Sequence, residues 1–216
     1  MNLYSTALTA QRCQRNWDWQ KPVTPEQIQC VLSVATAMPT KQNRPVYQLF
    51  VCTDQSTNLW LANHARDDPA TINTGSLTTR STYQNSQIAA PVVFIWFNNS
   101  VAPTDQSSFN GPKTQPSHAK SDNIAIGISA GAAALTANTM GLKTGFCACK
   151  LDQQITQYLN QLMNTDLKDN IALMMGMGYP QIDLKHNDEY HYDDYYKEHI
   201  YTKQSYDKTI TVYQWP

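Results

Sequence analysis

Apolar residues follow two patterns along this chain, helical spacing in some stretches and short continuous runs in others. The stretch from about Thr24 to Met38 predicts a helix, because apolar positions 28, 31, 32 and 35 recur at intervals of one, three and four. Thr24 can cap this helix, Pro25 suits its first position, and Gln27 completes a T-x-x-Q capping box. Pro39 then ends it, so the pattern predicts one amphipathic helix with a single buried face.

Several apolar runs have the length and residue types of β-strands. The clearest are residues 46–53 (VYQLFVCT), 91–97 (PVVFIWF) and 171–180 (IALMMGMGYP). The run PVVFIWF shows no polar alternation, which is typical of a central strand covered on both faces. Residues 144–150 (TGFCACK) predict a strand or extended turn, and residues 209–215 (TITVYQW) alternate like a strand with one covered face.

The remaining stretches predict further helices and two polar excursions. Residues 123–142 are rich in Ala and predict a buried helix, capped by Ser121 or Asp122 and closed by Gly141. Polar residues interrupt that stretch, so a core helix is favoured over a membrane span. Residues 151–163 predict an amphipathic helix and residues 59–64 a short one. The stretch from Asn98 to Asp122 predicts a long loop that could act as a lid, and residues 189–208 a surface excursion.

Strands alternate with helices along the whole chain, without internal repeats or a linker. This order predicts an α/β or α+β sandwich of one domain.

Composition excludes several classes of function. With 16 Lys and Arg against 17 Asp and Glu, the net charge is −1, and the 16 Asn and 19 Gln slightly outnumber the charged side chains. Such a chain lacks the clustered basic excess that nucleic acid requires, and no apolar stretch is long enough to predict a membrane span. The N-terminus lacks the order of a signal peptide, and the five scattered cysteines favour a reducing compartment, so the sequence predicts a cytoplasmic protein. Their spacing predicts no metal site.

Four local features carry candidate chemistry. They are the pair Arg12 and Arg15, the proline-bounded turn 39–45 (PTKQNRP), the glycine-containing segment 141–149 (GLKTGFCAC) and the strand end 175–180 (MGMGYP). Each alone has an ordinary structural interpretation: solvated arginines, a plain loop, or glycines in tight turns.

In their order and spacing, these features resemble the flavin-dependent nitroreductase family, from about Leu8 to Pro180. QRCQRNW (11–17) stands where the family has R-R-S-x-R-x-F, and MPTKQNRPV (38–46) resembles its A-P-S-x-x-N-x-Q-P-W turn. APVV (90–93), GLKTGF (141–146) and GYP (178–180) correspond to its A-P-V-V, G-L-G-T-x-W and G-x-P motifs. The resemblance implies an α+β fold with a three-layer α/β/α sandwich around a mostly antiparallel sheet, residues 1–216 forming a single domain.

The resemblance also implies a homodimer that binds FMN at the subunit interface, with the C-terminal strand contributed to the partner subunit. Arg12 is expected at the phosphate, Arg15 near the pyrimidine end of the ring, and the backbone of Ala148 near flavin N5. Gln11 and Cys13 replace a family Arg and Ser, which predicts weaker phosphate binding. The full set of residues expected to bind FMN is Gln11, Arg12, Cys13, Arg15, Pro39, Thr40, Lys41, Asn43, Asn85, Phe146, Cys147, Ala148, Cys149 and Lys203.

The implied activity is a ping-pong transfer of hydride from NADH or NADPH, through flavin N5, to an electron-poor acceptor such as a nitroaromatic, quinone or enone. Because the flavin carries the chemistry, no catalytic side chain is expected. Two alternatives stay open: an FMN-binding relative with other chemistry, either reductive dehalogenation or flavin fragmentation, and a degenerate flavin-binding protein without turnover.

Overall fold

The computed structural model describes residues 3–10, 13–40, 43–65, 85–98, 115–148, 153–164 and 171–181. Within these ranges the helices and strands run α1 (Leu3–Ala10), α2 (Pro25–Ala37), β1 (Tyr47–Cys52), α3 (Gln55–His64), β2 (Val92–Asn98), α4 (Gln115–Thr139), β3 (Lys143–Cys147), α5 (Gln153–Met163) and β4 (Ile171–Gly178). The predicted strand at 209–215 and the predicted excursion at 189–208 lie outside the described residues.

The four described strands form one antiparallel sheet in the order β1-β2-β4-β3. Tyr47 of β1 pairs with Asn98 of β2, and Cys147 of β3 pairs with Met174 of β4. The six residues 92–97 of β2 are all buried, because β2 lies inside the sheet and helices cover both of its faces. The prediction of a central strand at 91–97 is confirmed.

Helices cover the sheet on both sides. On one face, Val92, Phe94 and Trp96 pack with α2 and α4, and α1 packs against α4. On the other face, Val93 and Ile95 pack with residues of α3 and α5. The predicted three-layer sandwich around an antiparallel sheet is therefore confirmed.

Helix α2 begins and ends as the sequence predicts. Gln27 N–H donates to Thr24 Oγ1 at 3.3 Å, and the Gln27 side chain accepts from Thr24 N–H at 3.0 Å. At the other end, the hydroxyls of Tyr47 and Ser129 both donate to the Ala35 carbonyl at 2.8 Å. These bonds satisfy a carbonyl in the last turn of the helix and tie that turn to β1 and α4.

Helix α4 begins at Gln115, so the prediction of a loop as far as Asp122 and of a cap at Ser121 or Asp122 is wrong for residues 115–122. Pro116 is compatible with this start, because proline is tolerated in the first turn of a helix, where its missing N–H leaves no bond unmade. The C-terminal prediction is confirmed: Gly141 has φ +78°, Leu142 N–H donates to the Ala137 carbonyl and Gly141 N–H to that of Asn138, which is a Schellman motif.

One face of α4 is open in the described chain, although the sequence predicted close packing around the helix. Ala130, Ala133 and Ala137 are buried, whereas Ile124 and Ile128 on the opposite face are 55% and 43% exposed. No helix in the described ranges is long and apolar enough to cross a membrane.

Two other helices show what the periodicity missed. Helix α1 was not predicted, and α3 starts at Gln55 rather than near Leu59. Asp54 caps α3 by accepting from Thr57 N–H at 2.8 Å, and hydrogen bonds from Ser56 and Thr57 hold the pKa of this carboxylate below its ordinary value.

Candidate functional site

Residues 13–17, the edge segment, lie first along the outer edge of β3 and then beside the residues that follow β4. Gln14 N–H donates to the Thr144 carbonyl at 2.8 Å, and Phe146 N–H donates to Cys13 Sγ at 3.2 Å. Further along, Trp17 forms an antiparallel bridge with Pro180. This edge pairing satisfies backbone groups of β3 and fixes the position of the residue between them, Arg15.

A turn at residues 85–88 lies against the α3 and α5 face of the sheet. Asn85 N–H donates to the Ala62 carbonyl at 2.8 Å, and Asn85 Nδ2 donates to Cys147 Sγ at 2.8 Å. Trp17 Nε1 donates to the Ser86 carbonyl at 2.9 Å. Asn85 and Ser86 are only 4% and 3% exposed, so the turn is anchored to α3, to β3 and to the edge segment.

Two glycines let this turn approach the sheet. A Cβ at Gly176 would collide with the backbone oxygen of Gln87, and a Cβ at Gly145 would lie 3.0 Å from the same oxygen. Backbone atoms cannot move aside as a flexible side chain can. Gly176 is therefore required for the close packing of the turn at Gln87, and Gly145, where a Cβ would also collide with the Gln14 carbonyl oxygen, is required for the close approach of Gln14.

The guanidinium of Arg15 lies between the edge segment and this turn. Arg15 Nη1 donates to Gln87 Oε1 at 2.9 Å and, more weakly, to Ser86 Oγ at 3.5 Å. Arg15 Nε is buried and has no hydrogen-bond partner among the described residues. No carboxylate in the described part of the chain forms an ion pair with Arg15, so a half-buried cation is held by neutral acceptors alone.

The structure brings together six of the residues that the sequence predicted for FMN binding. Cys13, Arg15, Asn85, Phe146, Cys147 and Ala148 lie on the edge segment, the turn and the end of β3. Asn85 and Cys147 are buried and hydrogen-bonded to each other, so they stabilise the packing beneath the site. Ala148, directly after β3, is exposed. Gln11, Arg12, Lys41, Cys149 and Lys203 lie outside the described residues.

The corner formed by Pro39, Thr40 and Asn43 lies elsewhere. Asn43 adopts φ +55°, its N–H donates to the Thr40 carbonyl at 3.1 Å, and Thr40 Oγ1 donates to the Arg44 carbonyl at 2.7 Å. This corner leads into β1, the strand on the far side of the sheet from β3. It shares one end of the sheet with Ala148, but three strand spacings, about 14 Å, separate the two outer strands.

A cavity of about 420 Å³ lies between these two margins, on the α4 face. Asn98, Ala172 and Leu173 line it from the sheet, and Asn123, Ile126 and Gly127 line it from α4. None of the described residues predicted for FMN binding lines this cavity. Among the described residues, no group of three or more His, Cys, Asp or Glu could hold a metal ion.

Sequence reasoning missed Gln87 and Ser86, the two residues that hold Arg15. A signal existed, because a half-buried guanidinium needs acceptors and the polar residues 84–87 come just before the apolar stretch 88–97. The spacing of more than seventy residues between Arg15 and Gln87 gave no indication that they meet.

The fold and the site together define a three-layer α/β/α protein with a candidate ligand site at one end of its antiparallel sheet. The same fold is found in a nitroreductase family protein from Clostridium novyi NT, with 15% identity, a TM-score of 0.59, and coverage of 84% of this chain and 86% of that one. An FMN-dependent nitroreductase from Clostridium difficile R20291 has 14% identity and a TM-score of 0.56, covering 92% of this chain and 99% of that one. Nitroreductase A from Vibrio parahaemolyticus has 18% identity and a TM-score of 0.58, and the match covers 85% of this chain and 69% of that one.

The family model described as the nitroreductase family matches residues 8–179. This chain belongs to the nitroreductase family, and in general terms it is a flavin oxidoreductase. No curated protein sequence matches the chain.

Trp17→Phe tests the anchoring of the turn. The substitution leaves the buried Ser86 carbonyl without its indole donor, so we expect the free energy of unfolding to fall by about 1–3 kcal/mol in urea denaturation. Trp60→Phe is the matched control, because Trp60 stacks between His64 and Tyr158 at centroid distances of 4.0 Å and a phenyl ring preserves that stacking. Equal losses in the two variants would contradict the anchoring role of Trp17.

Proposed function

We propose that this chain is an FMN-dependent oxidoreductase that transfers hydride from NADH or NADPH to an electron-poor small molecule, such as a nitroaromatic, quinone or enone, by a ping-pong mechanism. The observation that carries the proposal is the Arg15 guanidinium, which is half-buried and has no carboxylate partner in the described chain. Burying an uncompensated cation costs free energy, and a ligand that develops negative charge would offset that cost.

FMN fits these residues. Reduction of bound FMN would place negative charge on the pyrimidine edge of the ring, and the Arg15 guanidinium would stabilise that charge. The exposed, small Ala148 offers backbone and open space at the end of β3. Arg12, by its place in the sequence, would bind the phosphate. FMN would supply the chemistry by accepting and returning hydride. The protein therefore has to bind the cofactor, orient the substrates and shield them from water, and it need not provide a strong acid or base.

The sulfur of Cys13 is engaged with the backbone of Phe146, accepting from its N–H and donating to its carbonyl at 3.7 Å. A thiol occupied in this way has less capacity to bind phosphate than a free serine hydroxyl. With Gln11 in place of an arginine, we infer a cofactor held more loosely than the family motif would hold it.

We further propose that the protein is a homodimer in which each FMN site uses both subunits. Within one chain, Arg15 and the Pro39–Asn43 corner belong to opposite margins of the sheet, so a second copy would bring its corner to the first copy's Arg15. The open face of α4 supports a contact between two copies of the chain, because Ile124 and Ile128 are large apolar residues with half of their surface exposed and Gly127 has open space beside it.

We also assign the protein to the cytoplasm. Cys30 and Cys52 are free thiols in the described ranges, which supports a reducing compartment.

Visible absorption and steady-state kinetics test the activity. We expect the purified protein to be yellow, or to become so with added FMN, and to oxidise NADH or NADPH steadily with menadione as acceptor. Initial rates at several acceptor concentrations should give parallel double-reciprocal lines, the pattern of a ping-pong mechanism. Oxygen-dependent bleaching of the flavin would instead indicate flavin fragmentation, and halide release from a halogenated tyrosine would indicate dehalogenation. A protein that takes up no FMN would contradict the proposal.

Ile128→Asp tests the dimer. A carboxylate on the open face of α4 would be buried twice in a twofold interface, so we expect sedimentation velocity at micromolar concentration to show the wild type as a dimer and this variant as a monomer. Leu162→Asp on α5 is the matched control, because Leu162 is 55% exposed and lies on the other side of the sheet. A dimeric Ile128→Asp variant would exclude this face from the interface.

A further inference from the structure

Gln87 occupies a fixed position beside Arg15. Its backbone is held on the sheet by the close approach to Gly145 and Gly176, and the neighbouring Ser86 carbonyl is anchored by Trp17. From this backbone the Gln87 side chain accepts from Arg15 Nη1 at 2.9 Å. An acceptor on a clamped turn restricts the guanidinium to few orientations.

The acceptor is neutral, and this matters for the charge of the site. A carboxylate at 2.9 Å would form an ion pair and cancel most of the field of the guanidinium at distances beyond the pair. An amide oxygen supplies the same hydrogen bond and leaves the full positive charge. Ser86 Oγ, the other acceptor of Arg15 in the described chain, is neutral as well.

The hydrogen bond to Gln87 also determines which donor stays free. Nη1 is directed to the turn, whereas Nε is buried without a partner among the described residues. A guanidinium held by one corner can present its remaining N–H groups to a planar ligand in one geometry.

We propose that Gln87 is a positioning residue that holds Arg15 toward the pyrimidine edge of FMN without neutralising it, and thereby raises the reduction potential of the bound flavin. This role rests on the proposed function. The direction of the change in potential follows from charge. Reduction would make the ring edge more negative, so a fixed cation favours the reduced form. Any loss of that cation's field therefore lowers the reduction potential. Gln87 acts through Arg15 and need not touch the cofactor.

Gln87→Glu tests the charge requirement. The substitution keeps an acceptor for Arg15, so the fold and the binding of oxidised FMN should change by less than about threefold. The ratio of affinities for reduced and oxidised FMN should fall about tenfold, which corresponds to a potential about 30 mV lower for a two-electron couple. The potential is measured anaerobically against a reference dye, and thermal unfolding is recorded for each variant.

Gln87→Met tests the positioning. It removes the acceptor but keeps the volume, so Arg15 loses its fixed orientation and the potential should fall by less than in Gln87→Glu. In an Arg15→Gln background, Gln87→Met should produce no further change in potential, because its effect requires the guanidinium. A purely structural role would lower thermal stability in both backgrounds and leave the potential unchanged.

The outcomes separate this role from the proposed function. If the wild type binds FMN but Gln87→Glu leaves the potential unchanged, or if Gln87→Met shifts it equally in both backgrounds, the role of Gln87 is wrong and the proposed function stands. A wild-type chain that binds no FMN would overturn the proposed function, and the role of Gln87 with it.

Discussion

The pairing of residues 13–17 with the outer edge of β3 and with the residues that follow β4 is the constraint on which the candidate site depends. The hydrogen bond between Gln14 and Thr144 and the bridge between Trp17 and Pro180 fix the backbone on either side of Arg15. Because an unpaired strand edge must be covered, the same contacts that complete the sheet also direct a cation toward the buried turn at 85–88. The same backbone contacts therefore stabilise the sheet and determine where Arg15 lies.

Two parts of one chain that the sequence motifs associate with the same cofactor end up at opposite margins of the sheet. The strand order β1-β2-β4-β3 puts the Pro39–Asn43 corner before one outer strand and Ala148 after the other. The homodimer that we propose would account for both this separation and the open face of α4. In this account the apolar surface of α4 and the incomplete ligand site are consequences of the same twofold arrangement.

Local signals predicted much of the fold, and their failures have physical causes. The capping box of α2 and the buried run of β2 depend on neighbouring residues, so the sequence revealed them directly. The start of α4 was missed because Pro116 breaks a helix interior but is tolerated in a first turn. The contact of Arg15 with Gln87 depends on tertiary packing over two glycines, and no periodicity encodes such a contact.

The most direct test of the central claim is an experimental structure of the protein with FMN bound, in which the distance from the Arg15 guanidinium to the flavin is measured. The account predicts an Arg15 nitrogen within hydrogen-bond distance of the N1 and O2 edge of the ring, with Gln87 still accepting from Nη1. A flavin bound away from the edge segment, or an Arg15 side chain directed elsewhere with FMN in place, would contradict it.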